Sequence, residues 1–193
     1  KKIEILITPE TTAILPVHVY GTPCKVKQIQ KIADIYGLKV IYDAAHAFNV
    51  KIGNTSVVNF GDLSILSFHA TKIFNTFEGG AIVCHTEKMK ERIDFLKNFG
   101  FADEETVVAP GINGKMNEFQ SALGLLQLEN VGQYIKKSRN ITTIYRKKLK
   151  EVPGIEYLED SKGVIHNYSY FSVVIDKEQY GLSRDQLYDK LKK

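Results

Sequence analysis

The chain has 193 residues, which is enough for one domain with a hydrophobic core, or for one large domain and part of a second. Its hydrophobic fraction of 44% and its charged fraction of 25% are typical of a globular protein and exclude a disordered or fibrous one. The net charge is +4 and the lysines are spread along the chain, which favours solvated helix faces over a nucleic-acid-binding patch.

Strands and a helix alternate in the first part of the chain. Val26, Ile29 and Ala33 recur at helical spacing, and Gly37 is expected to end that helix. Four apolar stretches are predicted to be strands: residues 13–20, 39–42, 63–68 and 81–84. This order predicts an α/β fold with a mostly parallel sheet and flanking helices.

The later part of the chain is helical at first and then changes in character. A helix is predicted at residues 88–98 and is followed by a loop at 99–113. Helical spacing begins again near Phe119 and continues up to Pro153. Short strands are predicted at residues 155–158 and 168–175, and Ser183 is expected to cap a helix at 184–193. We therefore expect a large domain over residues 1–152 and the beginning of a small α+β domain over residues 153–193.

Cysteine usage and the chain ends give two further expectations. Cys24 and Cys84 have neither metal-site nor redox-motif spacing, so the protein is expected in the reducing cytoplasm. No apolar run approaches the roughly 20 residues that a membrane span needs, so no membrane segment is predicted. The chain begins without Met and ends inside a predicted helix, and we expect it to be an internal segment of a longer protein.

Asp43 stands at the carboxyl end of a predicted apolar strand, where the ligands of open α/β sheets bind. A half-buried carboxylate there needs a cationic partner, which could be a metal ion or a protonated pyridine nitrogen. Taken alone, an Asp at this position is more often a helix cap or a turn former. His46, taken alone, is more often a hydrogen-bonded structural residue.

Lys72 follows the strand predicted at 63–68, within the stretch SFHATKIFN that begins at Ser67. If its amine is desolvated, it becomes a nucleophile toward carbonyl carbons. Without other signals, a surface lysine in a loop is the simpler interpretation. The pair Gly79-Gly80 that follows is compatible with a simple hairpin, and the sequence contains no Walker or dinucleotide-binding fingerprint.

Together these motifs resemble one family. The stretches PVHVYG at 16–21, DAAHA at 43–47, SFHATK at 67–72 and GINGKMNE at 111–118 resemble the DegT-type nucleotide-sugar aminotransferases. The resemblance covers residues 7–193 and implies the large domain of the pyridoxal phosphate (PLP) transferase fold type I, the aspartate aminotransferase fold, plus part of its small domain. It also implies PLP as the cofactor, and no metal.

The resemblance further implies a role for each matching residue. Lys72 would hold PLP as a Schiff base and act as the catalytic acid and base. Asp43 would pair with the pyridine nitrogen, His46 would contact the ring's phenolic edge, and Ser67 would bind the phosphate. Asn113 would reach the phosphate of a second subunit, so that a homodimer shares its sites.

The implied reaction is ping-pong transfer of an amino group from L-glutamate to the keto group of a nucleotide-linked, dTDP-type hexose, in surface-polysaccharide, lipopolysaccharide or other amino-sugar biosynthesis. The family's pattern is broken at Phe77, Ile112, Gly114 and Lys115, which bears on substrate contacts. Three alternatives stay open: a PLP-dependent sugar dehydratase, a non-catalytic binding or regulatory module, and a truncated inactive remnant. Dehydratases of this fold carry His in place of the lysine, so Lys72 argues against the first alternative.

Overall fold

A computed structural model of the chain describes residues 2–192. The strands in this range are β1 (Ala13–Ile14), β2 (Lys39–Asp43), β3 (Lys51–Ile52), β4 (Thr55–Ser56), β5 (Leu63–Ser67), β6 (Gly80–Cys84), β7 (Ile155–Tyr157), β8 (Val164–Ile165) and β9 (Val173–Ile175). The α-helices are α1 (Val26–Tyr36), α2 (Glu87–Lys97), α3 (Glu118–Leu149), α4 (Lys177–Tyr180) and α5 (Arg184–Leu191). None of the helices described within residues 2–192 is long and apolar enough to cross a membrane.

The main sheet has the strand order β1-β2-β5-β6. The β1–β2 and β2–β5 pairs are parallel, whereas β6 runs antiparallel to β5, with Ser67 opposite Gly80. The connection from β5 to β6 spans only residues 68–79, which is short for the helical crossover that parallel strands require. The predicted α/β class with a mostly parallel sheet is confirmed. The connection between the antiparallel strands β5 and β6 carries Lys72.

Helix α1 covers one face of this sheet. Its apolar residues Val26, Ile29 and Ala33 are buried and pack in one cluster with Val40 and Tyr42 of β2. Full burial of a Val or Ile side chain contributes about 1.5–3 kcal/mol. This packing fixes the end of β2, and therefore the position of Asp43.

Two small sheets complete the architecture. Strands β4, β3 and β8 form one, and β7 pairs with β9 in the other. The antiparallel β3–β8 pair joins residues near 51 to residues near 164. The β3–β4 hairpin and β8 were not predicted from the sequence, because two-residue strands carry no periodic pattern.

Several boundaries differ from the sequence-based predictions. The strand predicted at 13–20 ends at Ile14, although Val17 still bridges to Asp43, and Val19–Gly21 forms a 3-10 turn. The strand predicted at 168–175 is reduced to β9, because Tyr168 has a φ of 53°, which no strand residue adopts. Residues 118–149 form one continuous helix, which Asn117 caps at its start through a capping box with Gln120.

The helix capped by Ser183 is present as α5, over residues 184–191. Its predicted last residue, Lys193, lies outside the described residues. Gly37 ends α1 in the left-handed conformation, as the sequence predicts.

Candidate active site

The carboxyl ends of β2 and β5 form the edge of the candidate site. Asp43 is the last residue of β2, and its Cα partner on β5 is Ile65. Ser67 therefore lies two residues farther along the neighbouring strand, and the connection with Lys72 begins directly after it. Because the two strands are parallel, these three residues are delivered to the same edge of the sheet.

Lys72 is not a freely solvated loop lysine. Its side chain is half-buried, and its Nζ donates a hydrogen bond of 3.2 Å to the phenol oxygen of Tyr170. The Lys72 backbone N–H donates to the His69 carbonyl at 2.9 Å, and the side-chain amide of Asn75 donates to the Lys72 carbonyl. The amine is thus presented by a fixed turn and has a partner 98 residues away in the chain.

His46 lies between two tyrosine rings. Its ring centroid is 4.5 Å from that of Tyr170 and 5.8 Å from that of Tyr20, and its Nδ1 accepts the Tyr20 backbone N–H at 3.1 Å. Partial burial lowers the pKa of His46, the positive charge of Lys72 lowers it further, and the Asp43 carboxylate opposes both effects. The three groups are therefore close enough to act on one another electrostatically.

Asp43 offers a carboxylate oxygen to the site. One oxygen accepts the Ala45 backbone N–H at 2.9 Å, while the other accepts no hydrogen bond from residues 2–192. Fully buried His18 lies nearby, stacked on Tyr42 with centroids 4.7 Å apart. Burial lowers the pKa of His18 to about 4 despite the Asp43 charge, so His18 is neutral at pH 7 and supplies no cation to Asp43.

Ser67 and His69 lie at the start of the connection. The Ser67 hydroxyl accepts the His69 backbone N–H at 3.4 Å. The His69 ring is exposed, with Nδ1 2.9 Å from the Thr71 hydroxyl and Nε2 3.6 Å from a Glu78 carboxylate oxygen. The hydroxyl of Ser67 is thus available near Lys72 for a ligand group.

Asn113 makes no side-chain hydrogen bond with these residues in the part of the chain that the structure describes. It is exposed, it bridges to Asn98 beside the end of α2, and its side chain makes no hydrogen bond with residues 2–192. Lys72, Asp43 and His46 interact electrostatically, and Ser67 lies at the same edge of the sheet, whereas the bridge that Asn113 makes is to Asn98.

Two side chains of the site were missed from the sequence. The stretch around Tyr170 was interpreted as a strand, and Asn167 was not singled out. Asn167 is fully buried, and its amide donates to the carbonyls of His46 and Phe48, at 2.9 Å each. A polar residue within an aromatic run (NYSYF) was the available signal, since a buried amide needs fixed partners.

The donor set fits PLP. The Lys72 amine suits the cofactor's aldehyde carbon, and the second oxygen of Asp43, which accepts no hydrogen bond from residues 2–192, suits a protonated pyridine nitrogen. The His46 ring supplies a flat surface beside them.

Comparison with known proteins agrees with this chemistry. The model of the DegT/DnrJ/EryC1/StrS aminotransferase family matches residues 1–193. The chain is 53% identical over 192 residues to dTDP-4-amino-4,6-dideoxy-D-glucose transaminase of Shigella dysenteriae, covering 100% of this chain and 52% of that protein. It is 35% identical over 192 residues to GDP-perosamine synthase of Escherichia coli O157:H7, covering 98% of this chain and 52% of that protein. The chain spans about half the length of the curated relatives it matches.

Solved structures show the same fold. DesI, determined in the presence of its TDP-sugar product, matches with a TM-score of 0.93 at 36% identity, over 98% of this chain and 48% of DesI. Helicobacter pylori PseC, an aminotransferase of pseudoaminic acid biosynthesis, matches with a TM-score of 0.86 at 28% identity, over 91% of this chain and 48% of PseC. These likenesses confirm the expected fold type I architecture.

Proposed function

The chain belongs to the DegT/DnrJ/EryC1/StrS aminotransferase family, and on this premise we propose that it forms part of a PLP-dependent nucleotide-sugar aminotransferase. The proposed enzyme moves the amino group of L-glutamate to the keto group of a dTDP-linked hexose. The name of the relative at 53% identity, a dTDP-4-amino-4,6-dideoxy-D-glucose transaminase, supports a 4-keto-6-deoxy sugar as the acceptor.

The observation that carries this proposal is the position of the Lys72 amine. It is half-buried and lies beside His46, at the sheet edge where Asp43 ends β2. A carbonyl-reactive amine needs partial desolvation and a fixed direction, and this position provides both. A binding module would need neither a presented lysine nor an open carboxylate next to it.

Each residue has a distinct proposed task. When bound, PLP supplies the electron sink that stabilises a deprotonated carbon of the amino donor. Lys72 would hold the cofactor at its aldehyde carbon and, once released, would move the proton between the substrate carbon and the cofactor carbon as general base and acid. Asp43 pairs with the pyridine nitrogen and keeps it protonated.

The remaining residues position the cofactor. His46 contacts the phenolic edge of the ring, and Ser67 binds the phosphate through its hydroxyl. Asn113, which is exposed and whose side chain makes no hydrogen bond with residues 2–192, is proposed to bind the phosphate in a second subunit. The sites of such a homodimer would be shared between its subunits.

The wider context is also proposed. We place the enzyme in the cytoplasm, in the biosynthesis of amino sugars for surface polysaccharide or lipopolysaccharide. Residues 1–152 are assigned to the PLP-binding large domain and residues 153–193 to the beginning of the small domain.

Reconstitution with PLP tests the function. The product of the complete reading frame is incubated with PLP, and its visible spectrum is recorded before and after addition of L-glutamate. We expect a visible band of covalently bound PLP that glutamate bleaches and that is absent in Lys72→Ala, because Lys72 is the proposed point of attachment. Lys51→Ala is the matched control, since Lys51 is also half-buried but lies on β3.

The outcomes separate the candidate functions. A band that glutamate leaves unchanged would exclude the aminotransferase. No band in the wild-type protein would favour a non-catalytic relative. A band that persists in Lys72→Ala would move the covalent attachment to another lysine.

A further inference from the structure

The contact between Tyr170 and Lys72 suggests a role that the proposed chemistry has not assigned. We propose that Tyr170 holds the free amine of Lys72 in its resting position, and that buried Asn167 is the positioning residue that brings Tyr170 there. The proposal rests on the proposed function, because it concerns the amine that would attach PLP.

The geometry of Tyr170 suits this role. Its phenol oxygen accepts the hydrogen bond from Lys72 Nζ at 3.2 Å, and its ring lies beside the amine, 5.7 Å from the nitrogen to the centroid. The same ring packs against His46 and Tyr20, with centroids 4.5 and 5.4 Å away. Tyr170 is therefore a fixed acceptor for a flexible side chain that otherwise has many rotamers.

Asn167 fastens the segment that carries Tyr170. Its amide nitrogen donates to the carbonyls of His46 and Phe48, and its oxygen accepts the Ser169 backbone N–H at 3.1 Å. Two of these bonds link the stretch before Tyr170 to the loop that carries His46, and the third holds the turn between Asn167 and Ser169. Tyr170 and His46 are thus positioned as one unit, although 124 residues separate them (170 − 46).

This arrangement has a consequence for the amine. An amine held by Tyr170 keeps one direction at its half-buried position, so a reagent from solvent meets it less readily than an amine that samples many rotamers. During turnover, an amine released from the cofactor would return to one defined place, from which it can act on the substrate proton. Loss of the phenol oxygen should therefore make Lys72 more reactive toward external reagents and less effective in catalysis.

The test uses the complete gene product without PLP. Lys72 is acylated with an amine-reactive reagent, and the rate is followed by peptide mass spectrometry, with Lys51 as internal reference. We expect Tyr170→Phe to raise the Lys72 labelling rate roughly threefold to tenfold, as the loss of one hydrogen bond allows, with Lys51 unchanged. Tyr145→Phe is the matched control, because its ring stacks on Phe171 but its hydroxyl makes no hydrogen bond with residues 2–192.

Asn167→Ala tests the positioning step. Asn167→Ala should also raise the Lys72 labelling rate. It should add little to the rate of Tyr170→Phe, because both substitutions remove the same interaction between Tyr170 and Lys72. In PLP-loaded protein, Tyr170→Phe should lower the rate constant of the glutamate half-reaction about tenfold and leave the apparent glutamate affinity within about twofold. Circular dichroism verifies that each variant is folded. If Asn167→Ala does not fold, Tyr170→Phe is sufficient for the test.

Two failures are distinguishable. If the wild-type protein shows no glutamate-bleached PLP band, the proposed function fails, while labelling without PLP still tests Tyr170. If folded Tyr170→Phe labels Lys72 at the wild-type rate, the role of Tyr170 is overturned, whatever the spectrum shows. Equal increases at Lys72 and Lys51 would also overturn it, because they would indicate general loosening.

Discussion

Lys72, Asp43 and His46 differ in how much of their environment a local pattern can specify. The position of Asp43 follows from the end of an apolar strand, and that of Lys72 from the short connection between β5 and β6. The surroundings of His46 come from elsewhere, since Tyr20 binds its Nδ1 and Tyr170 packs on its ring. The reactivity of the site therefore depends on groups that only the folded chain brings together.

His18 gives a prediction about pH at the residue scale. Its Nδ1 accepts the Cys24 backbone N–H at 3.0 Å, and burial lowers its pKa from 6.5 to about 4. Between pH 6.5 and 4, His18 is therefore protonated in the unfolded chain but neutral in the folded chain. Over this window, the free energy of unfolding should fall with pH by up to about 1.4 kcal/mol per unit from His18 alone.

Urea unfolding of wild-type protein and His18→Asn at several pH values between 7 and 4 measures this slope. Asn can keep an acceptor for Cys24 N–H, so the variant should be less stable at pH 7 but have a flatter pH dependence. Parallel slopes for wild type and His18→Asn would contradict the prediction.

At the scale of elements, helices whose apolar residues recur at helical spacing were predicted well from the sequence. The spacing of Val26, Ile29 and Ala33 and the glycine at position 37 identify α1 to within its observed ends. Residues 166–172 could not be predicted in the same way. Their path is set by the bonds of Asn167 to residues 46 and 48 and by the bond of Tyr168 to Asp160, and no local pattern encodes such partners.

The same reason limits what the sequence says of the site. Strand ends predict that Asp43, Ser67 and Lys72 share one edge, because parallel strands deliver their carboxyl ends together. The acceptor that Tyr170 offers to Lys72 depends on a contact across 98 residues. The catalytic roles of these residues remain predictions.

Helix α3 gives a prediction with an internal control. Gly132 lies in this helix with open space where a Cβ would be, whereas a Cβ on Gly124 would lie 3.2 Å from the Thr76 methyl group. Gly132→Ala should raise the free energy of unfolding by about 1 kcal/mol, because Ala loses less backbone entropy in a helix.

The gain should shrink or reverse in Gly124→Ala, since buried Thr76 would have to move. Urea midpoints of the two variants and the wild type measure the difference. Equal stabilisation by both substitutions would show that packing against Thr76 does not limit position 124.

At the scale of the whole molecule, large apolar side chains remain exposed near the proposed dimer-related residue. Ile112 is 70% exposed, next to Asn113, and Phe119 at the start of α3 is 90% exposed. Ile112 and Phe119 are one and six residues from Asn113 in the sequence. Their exposure is consistent with the proposal that a second subunit covers the segment that carries Asn113.

Mixing two defective variants tests whether sites are shared between subunits. Lys72→Ala lacks the reactive amine and Asn113→Ala lacks the proposed phosphate donor, so each homodimer should transaminate poorly. A mixed dimer combines the intact Lys72 of one subunit with the intact Asn113 of the other, which restores one of its two sites. Random exchange of subunits should therefore recover about one quarter of wild-type activity in the mixture.

The quarter follows because mixed dimers are about half of the population and carry one restored site out of two. The measurement is the glutamate-dependent transamination rate after the variants are unfolded and refolded together, compared with each variant refolded alone. If Asn113 acts within its own subunit, mixed dimers restore no site and the activity stays at the average of the two variants. A mixture of Lys72→Ala with Asp43→Ala is the control, since both residues belong to one subunit's edge and should not complement each other.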